Sequence, residues 1–341
     1  MTFNIVKDDS RRQIKAKNFS QVRDSFCRRD LVVSGYPYLL RMEISNICNL
    51  RCTFSKDAYG TCPHWSISKT PSLMSFQFFK RIIDETGIYL DHAQLYNYGE
   101  PFTNPYATDM IRYLKGINPE VNIEMHTNGH FFETQQKRLD VINSGLDVLL
   151  FSVDGITQAV YEKYRIGGDL QKVIEAISSI CKLKKELNTG KPKIVFQFIL
   201  FEHNFHEAPN VEEFAKGLGV DEVVLKTDIF RHKPELKISQ AHIYNSIFGL
   251  QSKDSEDSFF KKDMDAGNSF CDYPWTYPTV LATKHMIVCC RDGEFKSVVG
   301  TLEGKSFLEV WNGQGYQEFR KRFLEEEIKP HPCKACECRP R

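Results

Sequence analysis

The chain has 341 residues, 41% hydrophobic and 26% charged, with a formal net charge of +1. That length can bury a large core and hold one large domain with a small companion. The balanced charge removes the electrostatic case for nucleic acid or an anionic membrane as partner. No apolar run approaches the roughly 20 residues of a membrane helix. The opening MTFNIVKDDSRRQIKAKNF lacks the apolar centre of a secretion signal, so the expected location is the cytoplasm.

Residues 1–37 read as an N-terminal extension. Six strand-like runs follow: LLRMEIS (39–45), HAQLYNY (92–98), VNIEMHT (121–127), DVLLFSV (147–153), KIVFQFIL (193–200) and DEVVLKT (221–227). Their near-continuous apolar character is that of strands covered on both faces. Amphipathic helical stretches alternate with them: SFQFFKRIIDETG (75–87), NPYATDMIRYLKGI (104–117), QQKRLDVINSG (135–145), DLQKVIEAISSICKLKKEL (169–187) and NVEEFAKGLG (210–219). Serine or aspartate at the start and glycine at the end mark several of these helices. The alternation predicts parallel strands joined by right-handed crossovers, as an open barrel or a doubly wound sheet. In both architectures chemistry collects at the C-terminal ends of strands. Cys48, Gly99–Glu100–Pro101, Thr127–Asn128–Gly129 and Asp154–Gly155 fall there. Residues 236–270 are polar and mixed in charge and read as a linker or covering segment between a barrel over 38–235 and a C-terminal unit over 271–341.

The eleven cysteines are not scattered. Three lie between 48 and 62 and six between 271 and 338, leaving Cys27 and Cys181 alone. Those two read as buried small hydrophobes. In a reducing compartment the clustered ones point to metal, either zinc or iron–sulfur.

EISNICNLRC, followed by YGEPF, HTNG, FSVDG and YEKYRIGG, resembles the radical S-adenosylmethionine (radical SAM) superfamily. The resemblance implies a partial (β/α)6 TIM-like barrel. It also implies a 4Fe–4S cluster that binds S-adenosylmethionine, held by a C-x3-C-x2-C loop after the first strand. Cys48 and Cys52 match the first two ligands, and Ser55 stands where the third is expected. Cys62, seven residues later, becomes the third ligand if SKDAYGT is an insertion; the alternative is a degenerate site in a silent binding or electron-transfer protein. By the same resemblance Tyr98, Gly99, Glu100 and Pro101 form the edge that receives the cofactor's amino group. Ser152 and Asp154 approach its ribose, and Arg165 pairs with its carboxylate, as suits a fork of N–H donors.

The C-terminal order FCDYPW, MIVCCRDG, SFLEVWN and HPCKACEC resembles the twitch and SPASM extensions of that superfamily. This implies one auxiliary 4Fe–4S cluster on Cys271, Cys289, Cys333 and Cys336, with Cys290 as the alternative to Cys289 and Cys338 as a spare. A four-cysteine zinc knuckle is the other reading of these spacings. The implied activity is oxidation of a small hydroxylated molecule; a peptide or protein side chain is the second substrate class. Lys226 and Arg231 are the candidate acid–base residues near the last strand, and a flavodoxin- or ferredoxin-type protein is the implied electron donor.

Overall fold

The computed structural model describes residues 8–52, 70–227, 271–290, 292–293, 295–326 and 330–333. Among these residues nine strands form one sheet. β1 (Leu39–Met42), β2 (His92–Gln94), β3 (Asn122–Thr127), β4 (Val148–Ser152), β5 (Lys193–Leu200) and β6 (Glu222–Thr227) run parallel in sequence order. The six expected strands are all present, and this is the parallel sheet of a partial (β/α) barrel.

The helices form where the capping chemistry allows. α1 (Asp8–Arg28) precedes the sheet, and α2 (Phe76–Thr86) starts at Ser75, whose hydroxyl accepts from Phe78 N at 3.2 Å. α3 (Ala107–Ile117) and α4 (Gln135–Ile142) follow β2 and β3. α5 (Gln158–Tyr164) and α6 (Leu170–Glu186) follow β4, and Asp169 caps α6 by accepting from Lys172 N. α7 (Ala208–Gly217) lies between β5 and β6. Phe79, Ile82 and Ile83 of α2 and Val173, Ile177 and Ile180 of α6 are fully buried at helical spacing. Burying each such side chain contributes on the order of 2 kcal/mol.

The two faces of the first three strands differ. Leu40, Met42 and Ile44, Ala93 and Leu95, and Ile123 and Met125 enter the apolar core beneath the helices. The alternate residues Arg41, Glu43, Gln94, Tyr96, Glu124 and His126 point the other way, as the strand period of two requires. The expectation of strands apolar on both faces therefore fails for β1–β3, whose inner face is polar.

The C-terminal residues continue this sheet. β7 (Thr279–Val280) pairs in parallel with β1, Arg41 opposite Thr279 and Met42 opposite Val280, and Glu43 N donates to Val280 O at 2.8 Å. β8 (His285–Ile287) and β9 (Val298–Thr301) add antiparallel strands outside it. α8 (Tyr273–Thr276) leads into β7, and α9 (Phe307–Trp311) and α10 (Gln314–Glu325) pack behind. A complete capping box at Ser306 and Glu309 starts α9, the helix expected from EVWN.

Residues 8–37 make contacts with both parts of the sheet. Asn18 of α1 clasps the backbone of Tyr36 with two hydrogen bonds of 2.8 Å. Arg320 of α10 donates to Leu31 O and Pro274 O, and Trp275 Nε1 donates to Asp30 O. The segment after α1 thus ties the barrel to the C-terminal unit. Cys181 is buried as expected, whereas Cys27 is exposed on the outer side of α1.

Candidate active site

The loop after β1 carries Cys48, partly buried, and Cys52, buried; both are free thiols. Cys48 Sγ accepts from Leu50 N at 3.4 Å and lies 3.7 Å from Asn128 Nδ2. Cys52 Sγ lies 3.6 Å from Arg165 Nη1. Burial pushes the Cys48 thiol up to about 12, helped by the nearby Glu100 charge and opposed by Leu50 N and Arg165. Cys52 is likewise raised by burial and lowered by Arg165. Thiols this reluctant to ionise become thiolates when a metal replaces the proton, and N–H donors already surround both sulfurs. The donor set fits an iron–sulfur cluster held by Cys48 and Cys52. Ser55 and Cys62, the rival third positions, lie outside the described residues.

The edge after β2 is built against this loop. Gly99 has φ +79°, and a Cβ there would stand 2.7 Å from Asn46 C and Ser45 O. Only glycine permits that approach. Glu100 N donates to Ile47 O at 2.8 Å. The Glu100 carboxylate, 2% exposed, accepts from Phe102 N, Thr127 Oγ1 and Asn128 N. Burial raises it to about 7 against those three donors. Pro101 opens a short turn after it. Tyr98 turns toward the C-terminal unit: its hydroxyl donates to Cys290 O at 3.0 Å and its ring meets Phe295 edge-on.

Asp154 is fully buried with φ +60°. Its Oδ1 accepts from Ile199 N at 2.6 Å, and its Oδ2 accepts from both Arg165 Nε, at 2.7 Å, and Arg165 Nη2. The arginine expected at the cofactor's carboxylate is thus held by Asp154 and aimed at Cys52. Ser152 on β4 lies 3.4 Å from Gln197 Nε2 on β5. Lys226, near the end of β6, is exposed, and its charge is among those acting on His126. Arg231 lies outside the described residues.

A polar cluster that sequence reasoning missed fills the inner face of β1–β3. Glu124 Oε1 accepts from Tyr96 OH at 2.8 Å and faces His126 Nε2 at 2.5 Å. Glu124 Oε2 faces Gln94 Nε2 at 3.4 Å and His92 Nε2 at 3.5 Å. Burial opposes the Glu124 charge, but His126, His92 and Tyr96 outweigh it and hold the carboxyl well below its usual range. The His126 ring stacks on Tyr96 with centroids 3.7 Å apart; burial lowers its pKa, against the hydrogen bond and charge of Glu124. Gln94 continues the chain to Arg41 and Tyr277 through its Oε1. The period-two pattern I-E-M-H in VNIEMHT was the available signal.

In the C-terminal unit Cys289 is buried, and Cys271, Cys290 and Cys333 are partly buried. Buried Asp292 accepts from Ser297 N and Oγ at 2.6 Å and faces His331 Nε2 at 2.8 Å. This joins the loop after Cys289–Cys290 to the segment carrying Cys333. Four thiols in one small unit suit an iron–sulfur cluster, with Cys336 and Cys338 outside the described residues. Among the described residues no three His, Cys, Asp or Glu side chains converge closely enough to hold a metal ion. No helix among them is long and apolar enough to cross a membrane.

Comparison with known proteins agrees with this geometry. The radical SAM superfamily model matches residues 42–214 and an iron–sulfur cluster-binding SPASM domain matches 271–337. The chain is 24% identical over 330 residues to a tungsten-containing aldehyde ferredoxin oxidoreductase cofactor-modifying protein of Pyrococcus furiosus, covering 88% of this chain and 87% of that one. It is 27% identical over 185 residues to a GTP 3′,8-cyclase of Nautilia profundicola, spanning 53% of each. In fold it is similar to Streptococcus suis SuiB bound to S-adenosylmethionine, with TM-score 0.64 and 12% identity over 98% of this chain and 78% of that one. The two matched families imply 4Fe–4S clusters, and the first implies S-adenosylmethionine as well. The chain belongs to the radical SAM superfamily and carries a SPASM-type iron–sulfur domain.

Proposed function

We propose that the chain oxidises a small hydroxylated molecule by two electrons inside the barrel. The observation that carries this reading is the Glu124–His126 cluster, set between the two cysteine regions. A 4Fe–4S cluster with S-adenosylmethionine supplies, when bound, a 5′-deoxyadenosyl radical that removes one hydrogen atom. A proton and an electron must then leave the substrate, and the auxiliary cluster that Cys271, Cys289, Cys333 and Cys336 would hold would accept the electron. Glu124 takes the Nε2 side of His126, and Nδ1 makes no hydrogen bond among the described residues. A carboxylate that fixes the tautomer leaves the other nitrogen as acceptor. His126 is two residues before Asn128, which touches Cys48, so it lies about 7 Å deeper along the same face. His126 is therefore the proton acceptor and Glu124 its positioning residue.

In the same reading Gly99, Glu100, Pro101, Ser152 and Arg165 receive S-adenosylmethionine, with Asp154 orienting Arg165 and Tyr98 joining that edge to the C-terminal unit. Cys48, Cys52 and Cys62 hold the first cluster, and Cys271, Cys289, Cys333 and Cys336 the second. Residues 38–235 form the radical domain and 271–341 the auxiliary one. The electron donor is of flavodoxin or ferredoxin type, and the setting is cytoplasmic.

The test is anaerobic reconstitution of wild type, Cys62→Ala and Ser55→Cys with dithionite and S-adenosylmethionine, with 5′-deoxyadenosine read by chromatography. Wild type should form it and Cys62→Ala should not; an inert wild type revived by Ser55→Cys would defeat the enzyme reading. Aminocyclitols, sugars and short peptides are then added in turn. A small hydroxylated compound should give oxidised product in equal amount to 5′-deoxyadenosine, and His126→Asn should lower product roughly a hundredfold or more while uncoupled cofactor cleavage persists. Product from the peptides alone would replace the substrate class.

A further inference from the structure

Arg41 is a cation in an unusual place. It projects from β1 into the barrel interior, with its guanidinium over Tyr96 at 5.0 Å and over Tyr277 at 5.6 Å. Nη2 donates to Gln94 Oε1 and lies 3.3 Å from Tyr277 OH. Its Nε is buried without a partner. Among the described residues no carboxylate pairs with it. Arg41 is partly buried, its nearest carboxylate Glu124 is reached only through Gln94, and ring faces and neutral acceptors supply only part of the compensation for the charge.

The position of Arg41 says where the missing charge belongs. Arg41 pairs in register with Thr279 of β7, the strand that begins the C-terminal unit. Tyr277, its hydrogen-bond partner, lies two residues before that strand. Tyr98, on the neighbouring edge, is bonded to Cys290 O. The Cys290 thiol, Tyr277 and Tyr96 are the groups acting most strongly on the Arg41 charge, and burial opposes it. The cation thus stands on the barrel side of the C-terminal cysteines.

We propose that Arg41 is the counter-charge of the C-terminal iron–sulfur cluster and raises its reduction potential. A 4Fe–4S cluster held by four thiolates is a net anion that becomes more negative on reduction. A fixed neighbouring cation favours the reduced form, and net charge around a cluster is one of the levers that set its potential. Arg41 acts through the cluster and is a positioning residue. The assignment rests on the presence of that cluster, and the test separates the two.

The test uses the full chain carrying Cys48→Ala and Cys52→Ala, which leaves the C-terminal cluster as the one to be read. Arginine, Arg41→Lys and Arg41→Met forms are reconstituted anaerobically, and the midpoint potential is read by electron paramagnetic resonance during a redox titration. Arg41→Met should disfavour reduction about tenfold, a shift of about 59 mV to lower potential for one electron. Arg41→Lys should keep most of the parent value. Arg41→Gln, which keeps a donor for Tyr277, should shift like methionine and serves if methionine prevents folding. An unshifted midpoint at equal iron content overturns the proposal, as does a lysine form that shifts as far as methionine. A parent that binds no iron overturns the cluster itself, a result seen in iron analysis before any potential is measured.

Discussion

The two cysteine regions are held in opposite ways. Around Cys48 and Cys52 the support comes from distant parts of the barrel: Gly99 and Glu100 after β2, Asn128 after β3, and Asp154 and Arg165 after β4. Around Cys289, Cys290 and Cys333 most of the support is local, with Asp292 and His331 closing one clamp, and Tyr98 is the barrel residue that reaches Cys290 O. The first arrangement makes the loop a product of the whole barrel. The second is a short unit joined to the barrel by the β1–β7 pairing and by side chains such as Arg81, which donates to Leu302 O and Lys305 O.

The most severe break in this contrast is Gly99→Ala. Its new methyl meets the Asn46 and Ser45 backbone at a left-handed φ, so the first loop should be displaced while the second unit stays intact. Iron in the reconstituted chain should fall from about eight to about four per molecule; retention of all of it would mean that the loop does not depend on the β2 edge. Asp154→Asn follows. It leaves the Arg165 guanidinium without its buried partner and should cost about 3 kcal/mol of unfolding free energy, measured in urea.

Glu43 offers a pH test of the seam between the regions. Its carboxyl, 1% exposed, accepts weakly from Asn97 and Tyr98 on one side and Ala282 on the other. Burial raises it to about 7, against those hydrogen bonds. Its folded value lies above the unfolded one of about 4.3, so the folded chain keeps a proton that the unfolded chain releases. Stability from this group is present below about 4.3 and is lost as pH climbs through 7, about 3–4 kcal/mol in all. Glu43→Gln should flatten that fall in urea midpoints between pH 5 and 8; an unchanged slope would place the titration elsewhere. The smallest effect belongs to Tyr98→Phe. It removes one hydrogen bond to Cys290 O and should cost about 1 kcal/mol in the same assay.

The strands and most helices were legible because a period of two or 3.6 is written in neighbouring residues. KIVFQFIL coincides with β5 to the residue, and the Ser75 and Asp169 caps are local events. What escaped depends on where strands meet. Arg41, Glu43, Gln94 and Glu124 look like ordinary polar interruptions until parallel pairing sets β1, β2 and β3 side by side. The Asp154–Arg165 pair spans a turn and a helix, so its spacing follows no simple period. The long helix α1 was passed over because its sequence is polar almost all round, and a few residues such as Val22 decide its docking. Cys27 was misjudged for the same reason.

The parallel pairing of β1 with β7 has a consequence for how the chain is made. β1 leaves the ribosome early and finds β2 soon after, but the residues that cover its other edge, Thr279 and Val280, come roughly 240 residues later. At 5–20 residues per second that is a wait on the order of ten seconds or more. Throughout that interval the growing chain presents an unpaired parallel edge beside two nascent thiols, the kind of surface on which neighbouring chains aggregate. Chaperone dependence, and loss of yield when translation stalls before residue 280, are built into the order of the strands.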